Sequence, residues 1–260
     1  MSDKIIARPS PEEIELAKKL AELQVLETAL VQKELELATL NGELAAFNSR
    51  YLHRVGRLFA ELDEIECDVA ESQAGLNPQD PAAVNGATQA RQRARESAWA
   101  VNEARQVAEE FKPTDELKQL YREAARRFHP DRALDDEDRA RRNEIMAKIN
   151  VAYQNNDLAA LQRLVAEVGH LPDEIKGEDV AAKLIRAIRR TAQIKSRMAA
   201  LDAEIAGIKS SDIYALKLKV ESEEAAGGDP LGELARQVTQ KITEARQALA
   251  AIQAAKHRKS

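Results

Sequence analysis

His129 is one of four histidines in the 260-residue chain, and it stands two residues from an acid in the tripeptide His129-Pro130-Asp131. An imidazole beside a carboxylate is the arrangement of an oriented general base, and either group is also a metal ligand. The surroundings narrow that chemistry. No serine or cysteine nucleophile is indicated beside the pair. His53, His170 and His257 are scattered without ligand spacing. The single cysteine, Cys67, rules out an intrachain disulfide and a four-thiolate zinc site. The expectation is therefore no catalytic activity, no cofactor and no metal. Two roles remain: a helix stop that contains a chance histidine, or a docking loop for another protein.

The elements on either side decide how the tripeptide is held. Before it, Leu117, Leu120, Tyr121, Ala124, Ala125 and Phe128 recur at steps of three and four, the apolar face of a helix. Lys118, Arg122, Arg126 and Arg127 lie off that face and form a basic stripe. Thr114 is a plausible cap, with Asp115 and Glu116 in the first turn. Pro130 has no amide hydrogen and disfavours helical geometry at His129, so the helix ends there and His129 and Asp131 project from a turn. The polar run RALDDEDRAR reads as a loop. A second helix then buries Ile145, Met146, Ile149, Ala152 and Tyr153. It breaks at Asn155-Asn156 and restarts from Asn156 or Asp157. Two antiparallel helices with a rigid loop between them are predicted.

Composition sets the wider frame. Aromatic residues are 3% and charged residues 32%, and no stretch alternates with the period of a strand, so the fold class is all-α. The net charge of −5 and a pI near 5.6 give no general reason to expect nucleic-acid binding. The arginines of RQRARESAWAVNEAR and the terminal KHRKS read as solvated surface. The N-terminal sequence lacks the apolar core of a signal peptide and no run approaches membrane-spanning length, so a cytoplasmic protein without a membrane partner is expected.

Residues 1–73 read as a coiled-coil helix. Ser10-Pro11-Glu12-Glu13 starts it. A seam then runs through Leu23, Leu26, Leu30, Lys33, Leu37, Leu40, Leu44, Phe47 and Tyr51. After one step of four following four it continues through Val55, Leu58, Leu62, Ile65 and Val69. If unbroken it would span roughly 90 Å, with Asn41-Gly42 as the weakest point. His53 and Cys67 are read as ordinary residues of this helix. Residues 74–112 read as a linker over 74–87 followed by a helix from about Thr88 to Phe111, with Trp99 as a packing anchor. The unit around the tripeptide takes 113–169. Residues 170–260 read as a helical hairpin or coiled-coil arm after the breaker GHLPDEIKGED, with helices from Asp179 to Lys209, Ser211 to Ala225, and beyond Pro230. The seams need partner helices, from this chain or from a second copy in a homodimer.

LKQLYREAARRFHPDR, followed by a loop and IMAKINVAYQNNDLAALQRL, resembles the J-domain of DnaJ-type co-chaperones. Leu117, Tyr121, Ala125, Phe128, Ile149, Ala152 and Tyr153 fall in register with that family's core, and His129-Pro130-Asp131 matches its loop. The match covers roughly 50 of the 260 residues. The resemblance implies docking on the ATPase domain of a DnaK-type chaperone and stimulation of its ATP hydrolysis. Asp131 would be the anion that pairs with an arginine of the partner, Pro130 would fix the turn, and His129 would hold the loop. Lys118, Arg122, Arg126 and Arg127 would steer association with an acidic surface. The opening helix of such domains, with its Tyr-Tyr-x-x-Leu-Gly sequence, is absent before Pro113, and the Ala-rich helix over 88–111 is the candidate to replace it. A glycine/phenylalanine-rich linker and cysteine repeats are also missing. The chain thus resembles J-proteins that join the J-domain alone to a targeting module, and the client bound by the helical arms is unspecified. The competing reading is a helical scaffold in which the J-like segment is a structural unit.

Overall fold

Among the described residues, which are 10–104, 111–133, 135–167 and 179–259 of a computed structural model, every regular element is helical. Residues 105–110 of the expected second helix, Leu134, and the breaker over 169–178 with His170 lie outside them. Helix α1 (Pro11–Tyr51) begins in a reciprocal cap. Ser10 Oγ accepts from the Glu13 amide at 3.2 Å, and the Ser10 amide donates to Glu13 Oε2 at 2.7 Å. The helix runs unbroken through Asn41-Gly42. Gly42 serves a close approach instead of a kink: a Cβ there would lie 2.6 Å from the Phe111 ring. The irregularity falls at a π-turn over Leu52–Gly56, where the seam takes its step from Phe47 through Tyr51 to Val55. One wide turn absorbs the residue that would otherwise rotate the seam away from its partners. Helix α2 (Arg57–Leu76) continues from it.

The expected linker over 74–87 is much shorter. Asn77–Asp80 makes the turn and α3 (Pro81–Ala104) starts at once. Asp80 Oδ1 accepts from the Ala82 amide at 2.9 Å, and Pro81 occupies the first helical position, where it needs no amide partner. Gly75 and Gly86 are simply carried within helices. Trp99 is not an anchor. It is 68% exposed because the packed face of α3 runs through Ala87, Ala90 and Ser97, out of phase with it.

Next come α4 (Asp115–Phe128), a tight 3-10 turn (Pro130–Arg132), α5 (Asp136–Gln154) and α6 (Leu158–Glu167). The acids of DDEDR are not loop. They form the first turn of α5, capped by Asp135, whose carboxylate accepts from the Asp138 amide at 2.8 Å. Asp157 starts α6 by accepting from the Ala160 amide at 2.8 Å, and Asn156 makes the preceding turn at φ +53°. Helices α7 (Val180–Lys209), α8 (Asp212–Ala225) and α9 (Pro230–Lys259) complete the chain.

The helices sort into two compact units, each made from two separated stretches. The first combines residues up to Gly42 with Phe111–Ser210, and the second combines Glu43–Glu110 with Ser211–Ser260. In the second unit α2 lies against α3 and α9. Phe47, Val55, Leu62, Ile65, Val220, Leu231, Val238 and Ile242 make its core. Buried Lys217 is held there by Glu43 at 3.2 Å and Glu221 at 3.0 Å. In the first unit α4, α5 and α6 close on Val31, Leu35 and Ala38 of α1. The coiled-coil seam is thus covered, within each unit, by helices of the same chain.

Candidate functional site

Thr114 caps α4 by accepting from the Leu117 amide at 3.1 Å. The inner face forms as the spacing predicts: Tyr121, Ala124, Ala125 and Phe128 have no exposed surface, and Leu117 has 2%. Ile149, Ala152 and Tyr153 of α5 meet them, with Leu161 of α6. The two helices are antiparallel. Close to the loop, Arg142 donates to the Arg127 carbonyl at 3.1 Å, and farther along Tyr121 donates to Asn150 Oδ1 at 2.8 Å. Helix α1 packs against this pair through Val31, Leu35 and Ala38. Phe111 adds an edge-on ring contact with Tyr153, at 5.7 Å between centroids.

At the loop, Phe128 ends α4 and His129 turns to φ −57°, ψ 133°, the extended geometry that a following proline imposes. His129 Nδ1 accepts from the Asp131 amide at 3.1 Å, which fixes that nitrogen as unprotonated and leaves the hydrogen on Nε2. Nε2 faces Glu34 Oε1 of α1 at 3.5 Å. The turn is further held by Arg132, which donates to the Arg126 carbonyl at 3.0 Å.

The expectation that His129 projects from the turn is not met. His129 is 6% exposed, and the side chain of Asp131 is 26% exposed. Helices α1 and α7 account for this burial. Glu27, Leu30, Val31, Arg190 and Ile194 surround the loop and leave a cavity of about 10 Å³, room for about one water at most. A small-molecule substrate has no room there. Among the described residues no cluster of acids, histidines and cysteine is arranged to hold a metal ion.

Charge organises the cover. Glu34, itself 8% exposed, lies 3.0 Å from Arg197 Nε, and Glu27 pairs with Arg190 at 2.5 Å. Burial pushes the Glu34 carboxyl up, but His129 and Arg197 outweigh it and hold its pKa below the usual carboxylate value. Burial likewise opposes the charge on Arg197, yet Glu34 and Glu204 keep that pKa above the ordinary arginine value. Arg190 goes the other way: burial lowers it, and Glu27 and Asp131 offset this only in part. Asp131 Oδ2, Arg190 Nε and Thr191 Oγ1 are buried without a hydrogen-bond partner. Each such atom costs about 1–3 kcal/mol relative to a satisfied one.

The basic stripe has the expected place. Arg126 and Arg127 are exposed, and Lys118 and Arg122 are half-buried along the same helix. Lys118 pairs with Asp115 at 3.5 Å, and Arg127 lies over the Phe128 ring at 5.3 Å.

Sequence reading missed Glu34, Arg142, Arg190 and Arg197. Arg142 is 2% exposed and pairs with Asp138 at 2.8 Å, tying the start of α5 to the end of α4. A signal for the others exists in the spacing: Glu27 and Glu34 are one heptad apart, and so are Arg190 and Arg197. Of the residues weighed elsewhere, Cys67 is buried and donates to Glu71 Oε1 at 3.4 Å, consistent with an ordinary helix position. Among the described residues no helix is long and apolar enough to cross a membrane. No family model matches the chain, and neither do any curated proteins or solved structures.

Proposed function

We propose that the chain is a J-domain-type co-chaperone, in which the α4–α5 hairpin docks on the ATPase domain of a DnaK-type chaperone and promotes ATP hydrolysis. The observation that carries this reading is the loop geometry. An antiparallel pair with a fully buried Tyr121–Phe128–Ile149–Tyr153 core ends in a His129-Pro130-Asp131 turn locked by the Asp131 amide on His129 Nδ1. Because the imidazole is committed to holding the turn, Asp131 is the group left to engage a cation of the partner. Lys118, Arg122, Arg126 and Arg127 supply a positive approach surface, whose effect on association is screened by salt. The helices outside the hairpin would carry the co-chaperone to its client or assembly in the cytoplasm. The protein performs no chemistry itself on this reading.

Burial of His129 under α1 and α7 favours a second reading, a helical scaffold in which the hairpin is a packing unit. ATP turnover by a DnaK-type chaperone separates the two. Saturating wild-type chain accelerates turnover if the first reading holds, and His129→Gln, which loses the turn's acceptor geometry, abolishes the acceleration. Absence of acceleration by wild type supports the scaffold. Acceleration that persists in His129→Gln removes the site assignment.

A further inference from the structure

Helix α7 covers the docking loop through a seam with α1. Ile194 and Leu201 are 1% and 0% exposed and pack with Leu23 and Leu30 of α1. In the ion pairs Glu22–Lys195, Glu27–Arg190, Glu34–Arg197 and Glu36–Lys209 the two earlier acids of α1 meet the two earlier cations of α7 and the later acids meet the later cations, so the two helices run parallel. That register lays Arg190 and Ile194 on the cavity that Asp131 lines.

Two features distinguish this seam from a permanent core. Its outer two ion pairs, Glu22–Lys195 and Glu36–Lys209, are at the surface, with Lys195 and Lys209 57% and 46% exposed, so salt screens them. Its inner side is incompletely satisfied, because Asp131 Oδ2 and Arg190 Nε, of two residues that line the same cavity, are buried without hydrogen bonds. Native interiors leave few such atoms, and each calls for a physical reason. For Asp131 Oδ2, a partner's guanidinium in a second state would be that reason.

We propose that α7 is a removable cover, with Arg190 standing beside Asp131 in the space a partner's arginine needs, so that the loop docks only after α7 parts from α1. This rests on the docking function proposed above. The cover lowers apparent affinity by the fraction of time it is open, and loosening it raises stimulation without altering the loop.

Three full-length variants test this by ATP hydrolysis of a DnaK-type chaperone at subsaturating co-chaperone. Ile194→Glu places a charge in the α1–α7 seam. Arg190→Ala combined with Arg197→Ala removes the two ion pairs to Glu27 and Glu34 while leaving the apolar seam. Lys33→Cys with Asp202→Cys, in a Cys67→Ser background, joins α1 to α7 through a short cleavable thiol cross-linker at a pair in contact in the fold. The expected results are stimulation raised roughly tenfold by Ile194→Glu and several-fold by the double alanine. The bridged chain should lose stimulation and recover it on cleavage, and His129→Gln should abolish every gain. If helical, folded variants stimulate no better than wild type and the bridged chain stays active, the cover is wrong while the docking function stands. If no version stimulates, the docking function fails and the cover with it. A gain that survives His129→Gln places the effect elsewhere and overturns the cover.

Discussion

The two ends of the α4–α5 hairpin are finished with different chemistry. At the end away from the loop, Tyr121 and Tyr153 meet with ring centroids 4.7 Å apart, and Phe111 packs edge-on against Tyr153. Both hydroxyls there have partners, Asn150 at 2.8 Å and Thr39 at 2.9 Å. At the loop end, charged groups are buried together, and Asp131 Oδ2 and Arg190 Nε, of residues that line one cavity, go without hydrogen bonds. The first arrangement gains stability from apolar area and from hydrogen bonds to both tyrosine hydroxyls, although Asn156 Oδ1, in the turn after α5, is buried without a partner. The second spends stability to hold Asp131 beneath a cover. Sites of function are where a fold tolerates such a cost.

That contrast can be broken at several places. Tyr153→Ala removes a fully buried ring from the aromatic end, and we expect a loss of about 3–5 kcal/mol in urea unfolding. A loss under about 1 kcal/mol would mean that the aromatic end is not the stable one. Arg142→Ala strands the Asp138 carboxylate and the Arg127 carbonyl, although Arg141 still reaches Asp138 at 2.7 Å. Its expected cost is about 3 kcal/mol by the same unfolding experiment.

Glu34→Gln should cost less, about 1.5–3 kcal/mol at neutral pH, since it weakens the hydrogen bonds to Arg197 and His129 without emptying the site. Its pH dependence has a definite sign. The folded carboxyl titrates below its unfolded value, so its contribution is complete above the unfolded pKa and is lost as pH falls through the lower folded pKa. The stability gap between wild type and Glu34→Gln should therefore stay level near neutrality and shrink below about pH 4. A gap that widens on acidification would contradict the ion-pair account. Arg190→Ala should be the mildest, within about 1 kcal/mol of wild type, because the Glu27 pair it loses is offset by removal of an orphaned Nε. A cost near that of Arg142→Ala would show Arg190 to be a structural ion and erase the difference between the two ends.

Local features were legible in the sequence where one residue type dictates the backbone. Thr114 starts a helix, Pro130 stops one, and the four-after-four step through Tyr51 shows in the fold as a π-turn. The inner face of the hairpin follows from its three-four spacing. Pairing between distant segments was not legible, because periodicity says that a face is buried and not by what. Thus the spacing of Val31, Leu35 and Ala38 on α1 did not announce the hairpin as their partner. The exposure of the loop failed for the same reason: a charged helix such as α7 reads as solvated until Arg190 and Arg197 are seen opposite Glu27 and Glu34. Trp99 is exposed because phase on α3, and not side-chain size, decides which face is buried.

Hydrogen exchange on the full chain, with and without a DnaK-type chaperone and ATP, bears on docking most directly. The account predicts that amides from Arg122 through Arg132 become slower to exchange when the chaperone is added, while those from Arg190 through Leu201 become faster as α7 lifts. Protection confined to other segments, with the His129-Pro130-Asp131 loop and α7 unchanged, would contradict it.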